Sequence, residues 1–252
     1  MKISKFLLPL IPLLLTIITL EAVRRFQIVP PYLLPSPFEV FAALRDDRAE
    51  LSEAFLATAA SSLIALSCSF LVGTGLAILL SLSTLLKRAI YPYAVFFQTV
   101  PIIAIAPLMV IWFGFGRPTV IASAFIVSVF PIIASTLLGL ESTDPSLVDL
   151  FRLYSASAWV RLWKLRLPFA LPQIFSGLRI AAGLSVIGAI VGEFIAGGGL
   201  GAVVDSARTQ QRIDVVFAAV LISAVLGLLI VAALNLLSRI SLRHWHASVR
   251  ES

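Results

Sequence analysis

"DLFRLYSASAWVRLWKLRLPFALP", Asp149 to Pro172, is a basic and aromatic stretch set between apolar ones. It carries Arg152, Arg161, Lys164 and Arg166, two tryptophans and two prolines. At 100° per residue, Leu147, Phe151, Tyr154 and Ala158 gather on one helical face, and Asp149, Arg152 and Ala156 on the opposite one. That pattern predicts a short amphipathic helix lying flat on its own domain with its polar face free. Ser155-Ala156-Ser157 reads as a break, with Ser157 capping a second helix. Pro168 and Pro172 are expected to end that helix and start the next apolar one. A segment of this kind either rests on lipid headgroups or docks a partner. Its residues alone leave both readings open.

The surroundings explain why the segment stands out. Only 13% of the 252 residues are charged and 60% are hydrophobic, against roughly 25% charged in soluble domains. Mean hydropathy is +1.03. Six apolar segments, at roughly 4–22, 56–81, 91–112, 119–140, 172–196 and 215–238, each approach or exceed the ~20 residues that cross ~30 Å of hydrocarbon. The expected fold is an all-α integral membrane protein of about six transmembrane helices. It forms a single domain over 1–252, with a polar loop at about 141–171. Lys2 and Lys5 precede the first apolar run as in a signal peptide, but no convincing small-x-small cleavage site follows Leu20. An uncleaved first helix is expected.

The net charge of +6 is read as membrane anchoring, not nucleic-acid binding. Even parity puts Lys2, Lys5, Lys87, Arg88, Arg152, Arg161, Lys164, Arg166, Arg239, Arg243 and Arg250 on one side. Arg179 is able to snorkel there too. That makes twelve of the 19 Lys and Arg, with every lysine among them. Both termini and the opening segment are therefore expected to be cytoplasmic.

On the other side, Ser36, Pro37 and Glu39 form a helix-start signature. It opens a short helix at the outer surface, read as a connector.

Energy-supplying chemistry is missing from the sequence. No G-x-x-x-x-G-K-[ST] loop is present, and the glycine-rich "GEFIAGGGLGAVVD" reads as a turn. The span centres carry no ionisable residue of the kind an ion-coupled carrier uses. His244 and His246 lie in a basic tail. The single cysteine, Cys68, makes neither a disulfide nor a zinc site. No nucleophile–base pair stands out, so neither an enzyme nor a metal site is expected. The reading that remains is a pore-forming part driven by another polypeptide on the cytoplasmic side. A secondary carrier is its rival.

The segment resembles the EAA loop of ABC-importer permeases, in which E-A-A-x-x-x-G is followed by a hydrophobic-x-Leu-Pro. Here the acidic position is Asp149, followed by Leu150 and Phe151. The glycine position is Ser155, followed by Ala156 and Ser157. The ending is Leu165-Arg166-Leu167-Pro168, continued by "ALPQIFSGLRIA" (Ala170–Ala181). "LPSPFEVFAAL" (Leu34–Leu44), "QTVPIIAIAPLMVIWFGFG" (Gln98–Gly116) and "GEFIAGGGLG" (Gly192–Gly201) are similar to the nitrate/taurine/aliphatic-sulfonate branch.

The resemblance implies a type I importer fold in the inner membrane. It implies a pairing with a second permease subunit, usually identical, and with cytoplasmic ABC ATPase subunits that bind the ATP, so that this chain holds no cofactor. It also implies an extracytoplasmic substrate-binding protein on the outer face. The ATPase-coupling residues become Asp149, Arg152, Ser155, Ala156, Ser157 and Trp159. The chain departs from the motif at Leu150-Phe151 and at Ser155, which does not take φ > 0 as freely as glycine. The solute implied is a small anion such as nitrate, taurine or a sulfonate. Riboflavin or a thiamine-precursor pyrimidine is the alternative.

Further candidates come from the apolar segments. Gly177, Ala181, Gly188 and Gly192, on the fifth, are small residues that let helices approach. Ser185 shares one of their rows. Pro101 and Pro107 interrupt the third segment, with Gln98 the nearest polar side chain. Glu193, near the outer end of the fifth, is either a snorkelling carboxylate or part of an outer gate. Gln98, Pro101, Ser185 and Glu193 are the pathway and gate candidates.

Overall fold

The computed structural model describes residues 10–26, 30 and 33–242, all in helices and their connections. In chain order these are α1 Leu10–Arg25, α2 Pro37–Asp46, α3 Arg48–Leu82, α4 Thr84–Thr99, α5 Ile102–Phe113, α6 Arg117–Glu141, α7 Pro145–Leu153, α8 Ala158–Ala196, α9 Gly199–Thr209 and α10 Ile213–Leu242. The segment expected at 4–22 lies partly outside the described residues.

α2 begins as its sequence dictates. The Ser36 hydroxyl accepts from the Glu39 N–H at 3.1 Å, and the Glu39 carboxylate accepts from the Ser36 N–H at 2.9 Å. Pro37 takes the first helical position, where no intrahelical donor is needed.

Among the described residues, α3, α6, α8 and α10 are each long and apolar enough to span a membrane. α4 and α5 together make a fifth such unit, bent by 102°. The third segment is therefore not one kinked helix over 91–112. Pro101 has no N–H to offer and Val100 before it is extended (ψ 124°), so the ladder stops there and restarts at Ile102. The pair still makes one crossing. Near the start of α4, Lys87 Nζ meets the Glu141 carboxylate at the end of α6 at 2.6 Å. Beyond α5, the Gly116 N–H donates to the Ala196 carbonyl at the end of α8 at 2.9 Å.

The fifth span differs too. It does not begin at Pro172 but continues unbroken from Ala158 for 39 residues. Leu162–Arg166 widens into a π turn immediately before Pro168. A wider turn relieves the clash of the Pro168 ring with the carbonyl four residues back, and Pro172 follows inside the same helix.

α6 is the centre of the bundle, gripped by α8 on one side and α3 on the other. Leu66, Ile132, Leu140, Phe175, Leu178, Leu226 and Ile230 share the main core. Between α3 and α6, Ser69 Oγ and Ser128 Oγ lie 2.7 Å apart, the kind of polar contact that holds helices where lipid gives no hydrophobic drive. A second core joins α2, α3, α9 and α10 through Val40, Leu51, Leu200, Val203 and Val215.

Candidate functional site

The basic segment folds into two helices joined by a tight turn. α7 starts at Asp144, whose carboxylate accepts from the Ser146 N–H at 2.8 Å and the Ser146 hydroxyl at 2.7 Å. The hydroxyl first, then the backbone N–H, hold this carboxyl below its ordinary pKa. The helix cap is therefore Asp144, which leaves Asp149 free of that duty. Asp149 pairs with Arg152 at 3.0 Å, one turn on, with 66% and 63% of their side chains exposed. An ion pair that open contributes at most about 1 kcal/mol, so both charges are available to a partner.

α7 does not lie with its apolar face against its own domain, as its periodicity predicts. No residue of α7 is buried, and Leu153 and Tyr154 are 83% and 80% exposed. The amphipathic pattern is real, but its apolar side is only partly covered: Val148 and Phe151 are half-buried, and Leu147, Leu150 and Tyr154 are exposed.

The turn after α7 gives a physical reason for a glycine in the EAA pattern. The Ala156 N–H donates to the Phe151 carbonyl at 2.9 Å and the Ser155 N–H to the Arg152 carbonyl at 2.8 Å. This is the Schellman pair, which needs a left-handed residue just past the helix. Ser155 is that residue, with φ 55°. Its Cβ opposes the conformation. Ser155→Gly is expected to stabilise the turn by about 1 kcal/mol, read as slower exchange of the Ala156 amide, which donates to the Phe151 carbonyl.

Ser157 then caps α8, its hydroxyl accepting from the Val160 N–H at 3.3 Å. Arg161 Nη1 donates to the Ala156 carbonyl at 2.9 Å, fixing the turn to the helix. Trp159 and Trp163 meet edge to face at 5.6 Å. Asp149, Arg152, Ser155, Ser157 and Trp159 are exposed around this turn, and Ala156 is half-buried within it.

At the far end of α8, Glu193 does not snorkel; it is 2% exposed. Its Oε2 accepts from Thr58 Oγ1 of α3 at 2.9 Å and from the Gly201 N–H of α9 at 3.0 Å. Thr58 Oγ1 in turn accepts from the Leu200 N–H at 2.9 Å. The carboxylate thus ties three helices at one point and faces the positive start of α9. Gly199, at φ 64°, leaves the room: a Cβ there would land on the Glu193 carboxylate. Thr58 sits in an apolar run with nothing in the sequence to mark it.

Ser185 is fully buried and donates to the Ala182 carbonyl at 2.9 Å, so its hydroxyl is spent on its own helix. Gln98 and Pro101 lie at the break between α4 and α5, both exposed. Gly177, Gly188 and Gly192 face α6 within the same chain. An added Cβ would meet Ser135 Cβ at 2.7 Å, Ala124 Cα at 2.7 Å and Val120 Cα at 2.9 Å respectively. Ala181 is fully buried beside them. This face therefore serves an internal helix contact and is not open to a second subunit.

Arg179 reaches α10, where Nη2 donates to Ser238 Oγ at 2.9 Å. Two further ties were not legible in the sequence. Thr119 Oγ1 bonds to the Met109 carbonyl at 3.1 Å and to the Gly114 carbonyl. Arg212 grips Asp47 at 2.6 Å and reaches Asp214 at 3.4 Å. The Arg212 bond holds the Asp47 carboxyl below its ordinary pKa.

The fold and this segment define a class: a multi-pass helical membrane protein with a capped, exposed helical elbow at the foot of one long span. Residues 69–250 match the family described as the binding-protein-dependent transport system inner membrane component, and the chain belongs to that family. It is an ABC-importer permease subunit.

A probable ABC transporter permease protein of Haemophilus influenzae is 35% identical over 223 residues, covering 88% of this chain and 91% of that one. The formylaminopyrimidine transport permease protein of Halalkalibacterium halodurans is 38% identical over 214 residues, covering 84% and 86%. The taurine transport system permease protein of Escherichia coli is 31% identical over 236 residues, covering 90% and 86%. Among solved structures, the MetNI methionine ABC transporter in inward-facing form superposes with a TM-score of 0.66 at 20% identity, over 73% of this chain and 93% of that one. That likeness shows the fold.

Proposed function

We propose that this permease couples to cytoplasmic ABC ATPase subunits through Asp149, Arg152, Ser155, Ala156, Ser157 and Trp159, with ATP bound by those partners and no cofactor on this chain. The observation that carries the reading is the unburied α7 elbow mounted on α8. One continuous helix of about 58 Å, at 1.5 Å per residue, runs from the elbow to the Glu193 junction. A push on one end is therefore delivered to the other. The excess of Lys and Arg at the elbow end supports placing that end and both termini in the cytoplasm. A second permease subunit, identical in the simplest case, completes the pathway across the bilayer. An extracytoplasmic binding protein delivers the solute to the outer face. In physical terms this is a two-state membrane pair biased by ligands at both ends.

Two solute chemistries stand. One is a small anion such as taurine, a sulfonate or nitrate, as named for relatives of this chain. The other is an uncharged heteroaromatic ring, as in the formylaminopyrimidine and riboflavin permeases. The higher identity to the formylaminopyrimidine permease favours the ring.

The coupling reading is tested by purifying the tagged chain from native membranes in mild detergent, beside Asp149→Arg. Wild type is expected to retain an ATPase subunit. The charge reversal should reduce retention by tenfold or more, about 1.4 kcal/mol. A well-folded chain that carries no ATPase in either form would return the secondary carrier.

A further inference from the structure

Arg161 and Arg166 stand five residues apart near the start of α8. On a regular α-helix five residues turn through about 500°, so the two side chains would point about 140° apart. The π turn at Leu162–Arg166 changes that. Its closing bond runs from the Leu167 N–H to the Leu162 carbonyl, and a turn that wide brings residue i+5 round over residue i. Both arginines line one recess of about 190 Å³. Its other walls are Ala158, Leu162 and, from the end of α3, Ser81 and Leu82. Relief of the Pro168 ring accounts for a wide turn there. It does not account for two cations sharing one space.

Two half-buried guanidiniums repel each other unless an anion offsets them. No acidic residue lines the recess. The acids at this end of the bundle are engaged elsewhere: Glu141 with Lys87, Asp144 in capping α7, Asp149 with Arg152. Arg161 gives one N–H to the Ala156 carbonyl, and among the described residues no hydrogen bond or ion pair engages Arg166. The Ser81 hydroxyl is turned back to the Ile78 carbonyl at 2.7 Å. The two guanidinium forks are left as the side-chain donors.

Size and surroundings choose the anion. The recess is smaller than the roughly 300–1,000 Å³ of whole-molecule sites, so it suits a single group. Arginine forks match the oxygens of a phosphate two at a time. Two membrane spans, α3 and α8, meet at this end, which puts the recess at headgroup depth. The side chains around it are apolar and exposed: Leu82 in its wall, Leu79 one turn back on α3, and the paired Trp159 and Trp163 on α8. Tryptophans of this kind mark the edge of the hydrocarbon. A soluble phosphate would use the cations and leave that apolar rim bare, whereas a lipid covers both, and basic pockets between spans are known to hold lipid headgroups.

We propose that Arg161 and Arg166 hold the phosphate of an anionic phospholipid, in the leaflet at the elbow end, with Arg166 as its principal contact. The site goes beyond the coupling reading and requires neither the ATPase nor the solute. A headgroup held between α3 and α8 steadies the foot of the span that carries the elbow.

The test is native mass spectrometry of the detergent-purified chain, with whatever ATPase it retains, titrated with phosphatidylglycerol and separately with phosphatidylcholine of the same acyl chains. The first phosphatidylglycerol is expected to bind about tenfold more tightly than phosphatidylcholine, or 1.4 kcal/mol. Arg166→Gln should remove that preference and Arg166→Lys should keep part of it. Arg239→Gln, at an exposed cation in the last turn of α10, should keep all of it. Phosphatidylcholine binding at the wild-type level certifies that each variant is folded. Four results overturn the site: equal binding of the two lipids to wild type, a preference that survives Arg166→Gln, a preference lost as fully in Arg239→Gln, or displacement of the lipid by an equal concentration of glycerol phosphate, which would make the ligand a soluble anion. Loss of a retained ATPase from folded Arg166→Gln would also overturn it, by giving the recess to that partner.

Discussion

Gly188→Leu should prise α6 from α8 and destabilise the chain by about 3 kcal/mol or more. The hydrogen of Gly188 points at the Ala124 Cα. A Cβ there would sit 2.6 Å from Val127 Cγ2, 2.7 Å from that Cα and 3.0 Å from the Ser123 carbonyl. Two of these are backbone atoms, which no rotamer change moves. The helices must separate, and the densest contact in the bundle is lost with them. Gly183 is the internal control. It lies five residues earlier in α8, and nothing stands within 4 Å of its added Cβ. Gly183→Ala should be neutral, or stabilising by up to about 1 kcal/mol through helix propensity. The check is thermal unfolding of each variant in the same detergent. Equal loss at both positions would mean that glycine matters in α8 for a reason other than the approach of α6.

The contrast between these two glycines shows what the sequence carried and what it did not. Small residues at four-residue spacing marked a close helix contact, and the apolar runs marked the spans, because both are local patterns. The elbow was legible for the same reason: Ser157 and the Ser155 turn are short-range devices. Which helix fills the small-residue face is not a local property, since Ala124 lies 64 residues from Gly188. The right-angle break at Val100–Pro101 looked like an ordinary proline kink, because the proline is local and the angle depends on neighbouring helices. The π turn before Pro168 replaced the helix end that two prolines predict, since tertiary packing kept the helix going. Glu193 reads in the sequence as a snorkelling carboxylate or as part of an outer gate, and the structure buries it. Thr58, 135 residues away, buries it, and no periodicity reports such a partner.

Glu193→Ala should abolish solute uptake while leaving the ATPase bound and hydrolysing ATP. The carboxylate joins α3, α8 and α9 at one point, through Thr58 Oγ1 and the Gly201 N–H. Removing it orphans a buried backbone donor and opens a void, a local cost of about 2–4 kcal/mol. That cost falls about 50 Å along α8 from the elbow, at 1.5 Å per residue, so the ATPase contact is untouched. Motion driven at Asp149 would still travel up α8 but would no longer carry α9 with it. Glu193→Gln keeps the shape and one carbonyl acceptor for Gly201, and should retain a measurable part of uptake. The two measurements are uptake into proteoliposomes holding the purified complex, and ATP hydrolysis by the same sample with and without its binding protein. A junction that only stabilises the fold predicts that uptake and hydrolysis fall together, in proportion to the folded fraction. A junction that transmits motion predicts that uptake falls by more than tenfold while basal hydrolysis stays near wild type. Thr58→Val should then reproduce the split in weaker form, because it removes one donor to the carboxylate. Combined with Glu193→Ala it should add less than its own effect, since the two share one contact, and what it adds is the loss of the acceptor for the Leu200 N–H.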